Sequence, residues 1–150
     1  MNKARCSSDS LAPAVADRLL SREVTDVAWG IEIEDVREGY ARIAMRVRKD
    51  MLNGHETAHG GMVFALADTA FAYACNSRNI STVAQQASIV FLAPAHEGDR
   101  LTAEAEEEAV VGRSGVYVVK SATRMAKISR LFMVFRVPSG EKFCLLRTTN

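Results

Sequence analysis

The sequence predicts an α+β domain in which an antiparallel sheet curls around one buried helix. The first observation is the stretch 61–75, which is the most apolar in the chain, is rich in helix formers and is apolar on every side. A helix that is hydrophobic all round is a buried helix, and this one is shorter than the ~20 residues that span a bilayer. The second observation is that two strand-like segments precede it and three or four follow it, an order typical of α+β domains.

Composition and charge are those of one ordinary globular domain, which we expect to occupy residues 1–150. Of the 150 residues, 48% are hydrophobic and 25% are charged, and the formal net charge is +1, enough for one sizeable core and no reason to expect a nucleic-acid or membrane partner. The three cysteines are scattered and residues 1–20 hold no continuous apolar leader. We therefore expect a cytoplasmic protein in a reducing compartment.

The segments before the buried helix are predicted to be a short helix and a hairpin. Residues 10–22 have the spacing of an amphipathic helix, with Pro13 in its first turn. Residues 28–36 and 40–48 are predicted to be two strands that turn at Glu38-Gly39, because apolar and arginine side chains alternate in the second of them.

A loop is predicted over residues 49–59, because Asn53-Gly54 marks a turn. The buried helix is predicted over residues 60–77. The strand-like segments that follow it are 81–92, 99–111, 115–120 and 128–137. Together these elements complete the predicted sheet around the helix.

One carboxylate, Asp68, lies in the middle of the apolar helix. A lone buried carboxylate would cost several kcal/mol. We therefore expect Asp68 to pair with an arginine or cap a nearby backbone segment as a structural residue, to be neutral, or to face a cleft in which its charge is used. His59, Gly60 and Gly61 come directly before the helix, where free N–H groups and the positive end of the helix dipole are exposed. A backbone donor and a carboxylate on one element are suited to stabilising an oxyanion and activating a water.

A competing pattern, His55-Glu56-Thr57-Ala58-His59, matches the H-E-x-x-H of zinc proteases. That pattern binds zinc only on a helix, where both histidines share a face. Glycines flank it on both sides, so we expect a loop and no metal. His59 is expected to line the site or to anchor the loop, His55 to lie on the surface, and Asn53 to line the site or to serve only as the turn residue.

Three motifs are more specific than these patterns: Met51-Leu52-Asn53-Gly54-His55, His59-Gly60-Gly61, and the block Leu66-Ala67-Asp68-Thr69-Ala70-Phe71-Ala72-Tyr73-Ala74-Cys75-Asn76-Ser77. With them the chain resembles hotdog-fold acyl-CoA thioesterases of the phenylacetic-acid-degradation type. The resemblance extends more loosely over about residues 17–120.

The resemblance implies a fold, a reaction and an assembly. One antiparallel sheet would wrap a long central helix, and acyl-CoA would be hydrolysed without a metal or cofactor, coenzyme A being part of the substrate. Gly60 would donate its amide to the thioester carbonyl, and Asp68 of a partner subunit would act as general base or nucleophile. Asn53 and His59 would position the carbonyl or the water. Two subunits would share their active sites, and two such dimers would form a homotetramer.

The substrate implied by the resemblance is phenylacetyl-CoA or hydroxylated phenylacetyl-CoA, cleaved to the free acid and coenzyme A. Other aromatic or medium-chain acyl-CoA esters are alternatives. A non-catalytic acyl-CoA-binding hotdog module is a third alternative, and the presence of Asp68 beside His59-Gly60 argues against it.

The resemblance fades after about Lys120, where the charge balance also changes. Residues 1–119 contain 12 basic and 17 acidic residues, whereas residues 120–150 contain 7 basic residues and a single acid. The family pattern continues with an Asp-Gly turn, a strand carrying Ile-Ala and a later glycine, and reading Met133-Val134 one base early gives a glycine codon. We therefore interpret this end of the chain as the product of a frameshift near residues 118–124, with a naturally divergent strand as the alternative.

Overall fold

The computed structural model describes residues 8–136 and confirms the α+β prediction. Helices α1, α2 and α3 are Ser8–Leu20, Val24–Trp29 and Gly60–Asn76. Strands β1 to β6 are Glu32–Arg37, Tyr40–Arg46, Val83–Phe91, Arg100–Val111, Ser114–Ala122 and Lys127–Arg136. A 3-10 turn, Lys49–Met51, lies between β2 and α3.

All six strands form one antiparallel sheet in the order β1-β2-β4-β5-β6-β3. The predicted hairpin of β1 and β2 turns at Glu38-Gly39, where Gly39 has a φ of +72° that favours glycine. Strands β4, β5 and β6 follow one another as neighbours, whereas β3 pairs only with β6. Strand β3 is therefore an edge of the sheet in the described part of the chain.

The core lies between α3 and the concave face of the sheet. Its members share almost complete burial, and those from α3, β2, β4, β5 and β6 include Val63, Leu66, Ala70, Phe71, Ile43, Met45, Leu101, Ala103, Val119, Leu131 and Met133. Each large side chain buried here contributes about 1.5–3 kcal/mol. The sheet thus wraps the helix as predicted. No helix within residues 8–136 is long and apolar enough to cross a membrane.

The amino-terminal region differs from the prediction in two respects. Helix α1 begins at Ser8, so Pro13 lies in its second turn and not its first. Residues 24–29 form helix α2, although the sequence pattern places residues 28 and 29 in a strand. Tertiary contacts override the local strand pattern here, because buried Asp26 is tied to α3 and Gly30, with a φ of +69°, ends the helix.

Strand β6 occupies the region where the sequence resemblance fades. The predicted β-like run forms a strand that pairs with β5 on one side and β3 on the other. Its inward side chains Leu131, Met133 and Phe135 are buried. The extent of the domain beyond residue 136 lies outside the described residues.

Candidate active site

The loop before α3 is closed by hydrogen bonds from Asn53. Its Oδ1 accepts from the N–H of His55 at 2.9 Å, the N–H of Thr57 at 3.2 Å and the Thr57 hydroxyl at 3.2 Å. The turn role of Asn53 is therefore realised. Its Nδ2 group donates to no other residue within 8–136. Within these residues, this N–H donor is therefore available to a ligand.

The H-E-x-x-H segment lies in this loop, as predicted, so its two histidines do not share a helical face. His55 is exposed, whereas His59 is the N-cap of α3. Among residues 8–136, no group of three or more His, Cys, Asp or Glu side chains is placed to hold a metal ion.

Helix α3 begins at Gly60 and exposes a backbone donor there. Nδ1 of His59 accepts a hydrogen bond from the N–H of Gly61 at 2.9 Å, so a neutral imidazole carries its proton on Nε2. The N–H of Gly60 has no acceptor among the described residues. It is one of the unpaired donors of a helix start, where the dipole favours developing negative charge.

A cavity of about 440 Å³ lies beside this helix start, and we call it the Gly60 cavity. Asn53 and Gly60 both line it, together with Phe91 at the end of β3 and residues 92–95 that follow this strand. A side chain at position 60 would place its Cβ 3.0 Å from the ring of Phe91. A residue larger than glycine here would therefore require the half-exposed Phe91 ring to shift by a small distance.

Asp68 lines a different cavity of about 350 Å³, which we call the Asp68 cavity. Its walls come from α3 and from the α1–α2 region, and they are Leu19, Glu23, Thr25, Asp26, Trp29, Phe64, Ala65, Asp68, Thr69, Ala72 and Tyr73. Asp68 makes no hydrogen bond or ion pair with any described residue. Burial raises the pKa of its carboxyl group above the ordinary value. Of the expected arrangements, the structure has a carboxylate facing a cleft and not one paired with an arginine.

The predicted residues therefore lie at two separate cavities of the chain. Asn53 and Gly60 line one cavity, whereas Asp68 lines the other. His59, the exposed N-cap residue beside Gly60, is not among the residues that line either cavity. Gly60 and Asp68 are eight residues apart on α3, which is about 12 Å along the helix axis. Gly60 and Asp68 therefore do not line a common cavity in one chain.

Sequence reasoning missed the residues that α2 brings to the Asp68 cavity. Asp26 is fully buried, and its Oδ2 accepts a hydrogen bond from the Tyr73 hydroxyl at 2.6 Å. Burial raises the pKa of the Asp26 carboxyl. No sequence signal pointed to Asp26, because its place depends on a six-residue helix that the local pattern assigns in part to a strand.

Comparison with known proteins agrees with this fold. The model of the family described as "Thioesterase superfamily" matches residues 55–121. The acyl-coenzyme A thioesterase PaaI of Escherichia coli (strain K12) is 46% identical over 105 residues, which are 70% of this chain and 75% of that protein.

Two solved structures extend the comparison. The E. coli PaaI protein from the phenylacetic acid degradation operon superposes with a TM-score of 0.87 and 36% identity, covering 89% of this chain and 98% of that one. A hypothetical thioesterase protein with coenzyme A from Streptococcus pneumoniae TIGR4 has a TM-score of 0.71 and 26% identity, covering 75% and 90%. The chain therefore belongs to the thioesterase superfamily, among the hotdog-fold acyl-CoA thioesterases of the phenylacetic-acid-degradation type.

Proposed function

We propose that this protein hydrolyses aryl-acetyl-CoA thioesters, phenylacetyl-CoA or hydroxylated phenylacetyl-CoA, to the free acid and coenzyme A. The observation that carries the proposal is Asp68, a carboxylate without a partner among the described residues, facing a cavity on the helix whose first amide is also unpaired. The proposal includes a cytoplasmic location, since the sequence pattern suits a reducing compartment.

The Gly60 amide and the Asp68 carboxylate are proposed to divide the chemistry between them. The Gly60 N–H donates to the thioester carbonyl oxygen and stabilises the negative charge that forms on it, an effect worth about 10²–10³ in rate. Asp68 takes a proton from the attacking water, worth about 10²–10⁴, or attacks the carbonyl carbon itself. The carbon–sulfur bond then breaks, and coenzyme A leaves as the thiol with the proton that Asp68 took from the water. If Asp68 itself attacks, coenzyme A takes its proton from solvent, and a water then hydrolyses the acyl–aspartate anhydride to the free acid and restores the carboxylate. A thioester is already activated, so this route uses no metal or cofactor.

His59 and Asn53 are proposed to position the carbonyl or the water. In the neutral imidazole, Nε2–H of His59 is a donor, because Nδ1 is occupied by the Gly61 amide. Asn53 lines the Gly60 cavity and has Nδ2 available as a second donor. Both side chains are held by hydrogen bonds within the loop, which reduces the cost of orienting them.

The two cavities are proposed to meet when two copies of the chain associate. Edge strand β3 is exposed along almost its whole length, and Val83 and Val90 are each about half exposed. Pairing of β3 with β3 of a second copy would continue the sheet and satisfy its free edge. Asp68 would then face Gly60 of the second copy. By family resemblance, we extend the proposal to a homotetramer of two such dimers.

The proposed activity is tested by measuring released thiol with DTNB over a panel of thioesters. The panel contains phenylacetyl-CoA, 4-hydroxyphenylacetyl-CoA, benzoyl-CoA and octanoyl-CoA, with the Asp68→Asn variant as control. We expect the highest kcat/KM for the two aryl-acetyl esters. A preference for octanoyl-CoA or benzoyl-CoA would replace the acyl assignment. Binding of the esters without any hydrolysis would identify a non-catalytic acyl-CoA-binding module.

A further inference from the structure

The Asp68 cavity combines apolar residues with polar ones. Leu19, Trp29 and Phe64 are among its apolar residues, and they suit a hydrocarbon or ring. Its polar residues include Tyr73, the last α3 residue to line it, and Asp26, which is bonded to Tyr73; the others are Glu23, Thr25, Asp68 and Thr69. This combination is typical of a pocket in which a few polar groups choose among ligands of similar shape.

Asp26 holds an acceptor that no described residue uses. The side chain has no exposed surface, and its Oδ2 is bonded to the Tyr73 hydroxyl at 2.6 Å. Its Oδ1 is buried and has no hydrogen-bond partner among residues 8–136. Buried polar atoms in native structures nearly always have a partner. Asp26 is also one of the residues that line the cavity, so this unused oxygen is a candidate acceptor for a ligand that supplies a donor.

The distance from Asp68 to the Asp26–Tyr73 pair is comparable to the length of an aryl-acetyl group. Tyr73 follows Asp68 by five residues, which is about 7.5 Å along the helix axis. An aryl ring and one methylene group span a comparable length. An acyl group whose carbonyl carbon lies at Asp68 would therefore direct the remote edge of its ring toward Asp26 and Tyr73.

A hydroxyl reaches Oδ1 only if the wall around Asp26 adjusts, because Asp26 is closed to solvent. Helix α2 is the element that would move. It has six residues, and its N-cap residue Glu23 makes no side-chain capping hydrogen bond. Helices this short are marginal without tertiary packing, so a small shift of α2 costs little local structure.

We propose that Asp26, held by Tyr73, is a specificity-determining residue that accepts a hydrogen bond from a hydroxyl on the far end of the acyl group. This inference rests on the proposed thioesterase function, and it assigns a side chain to the choice between hydroxylated and unsubstituted aryl-acetyl esters. Asp26 takes no part in bond breaking.

The test is the ratio of kcat/KM for 3- or 4-hydroxyphenylacetyl-CoA to kcat/KM for phenylacetyl-CoA. Of the two ratios, one for the 3-hydroxy and one for the 4-hydroxy ester, we expect the larger to be at least about ten in the wild type. A site built to hydrogen-bond a hydroxyl discriminates against a substrate that lacks it. Asp26→Leu should reduce the ratio to about one by slowing only the hydroxylated ester. Tyr73→Phe, which removes only the hydroxyl that holds Asp26, should give an intermediate ratio. Asp17→Asn, an exposed change outside the cavity, should leave the wild-type ratio.

The ratio of the two kcat/KM values distinguishes a failure of the Asp26 role from a failure of the proposed thioesterase function. Turnover of phenylacetyl-CoA with a wild-type ratio near one, or an unchanged ratio in Asp26→Leu, overturns the role of Asp26 and leaves the thioesterase assignment intact. If Asp26→Leu does not fold, an unchanged ratio in Tyr73→Phe overturns it. Failure to hydrolyse any ester overturns both proposals.

Discussion

At the residue scale, Asp68 combines two properties that seldom coexist in a structural side chain. It is half-buried, and it has no partner within the described part of the chain. Asp68→Asn should lower kcat at least ~10²-fold with little change in KM, because the carboxylate acts mainly in the transition state. The melting temperature should stay equal or rise, since the change removes an uncompensated charge. Steady-state kinetics and thermal unfolding measure both effects, and a near-wild-type kcat would refute the assignment.

The pH dependence of activity follows from the same burial. Burial raises the pKa of the Asp68 carboxyl, and only the ionised form can act as base or nucleophile. Activity should therefore be lost as the pH falls through this raised value, so the acid limb of kcat/KM should lie above the ordinary aspartate pKa of about 3.9. The stability contribution of Asp68 has the opposite dependence: it is complete below the ordinary pKa and is lost as the pH rises through the raised one. An acid limb at or below the ordinary value would contradict this environment for Asp68.

Some residues of the candidate site could be predicted from the sequence, and one could not. Asp68 was recognisable because a carboxylate interrupts an apolar run, and Gly60 because it starts a helix. Asp26 was not recognisable, because its bond to Tyr73 joins residues 47 positions apart. A contact between residues so far apart in the chain does not affect the periodicity of the local sequence.

At the element scale, the long and strongly patterned elements were predictable. Helix α3 and strands β3 to β6 lie within a few residues of their predicted limits. Helix α2 was missed because six residues carry too little periodicity to outweigh a β-like composition. Nothing in the sequence indicated that β3 is an edge strand, since strand order depends on pairing between distant segments.

The exposure of β3 leads to a prediction about assembly. The double substitution Ser88→Lys/Val90→Lys places two positive charges on one face of this edge strand, and like charges opposed across paired strands are destabilising. We expect light scattering to show a shift from dimer toward monomer, with activity lost in parallel. Val111→Lys, at an apolar residue that is 80% exposed and lies outside β3, is the matched control. If the double variant remains a dimer, the dimer interface does not include β3.

At the scale of the whole molecule, the end of the chain is either the product of a frameshift or a naturally divergent segment. Strand β6 is paired on both sides, which agrees with its β-compatible composition under either interpretation. The exposed end that we expect beyond Ser139 lies outside the described residues. A strand read in a foreign frame was not selected to pack, so we expect it to contribute less stability than the family strand.

Restoring the shifted-frame segment Asp-Gly-Glu-Asp-Ile-Ala-Val-Ile-His-Gly-Val should therefore raise the melting temperature by several degrees, because ~1 kcal/mol corresponds to ~2–4 °C at about this size. Thermal unfolding of the two chains measures the difference, and resequencing of the gene checks the reading frame directly. An intact frame together with no gain in stability would identify a naturally divergent end.

The shared active site is the claim on which the account of the whole molecule depends. In the described chain, Gly60 and Asp68 line separate cavities, and the proposed site therefore takes each group from a different copy. Gly60→Pro removes the amide donor at a helix position that tolerates proline. Gly60→Ala keeps the donor and adds a Cβ against Phe91, so it controls for bulk.

The most direct measurement is therefore the thioesterase activity of mixed dimers refolded from Asp68→Asn and Gly60→Pro chains. Each variant alone should be inactive, whereas random 1:1 mixing gives heterodimers with one intact site, and about a quarter of the wild-type activity should return. A mixture that stays inactive, although both variants fold and heterodimers form, would contradict a site shared between two copies.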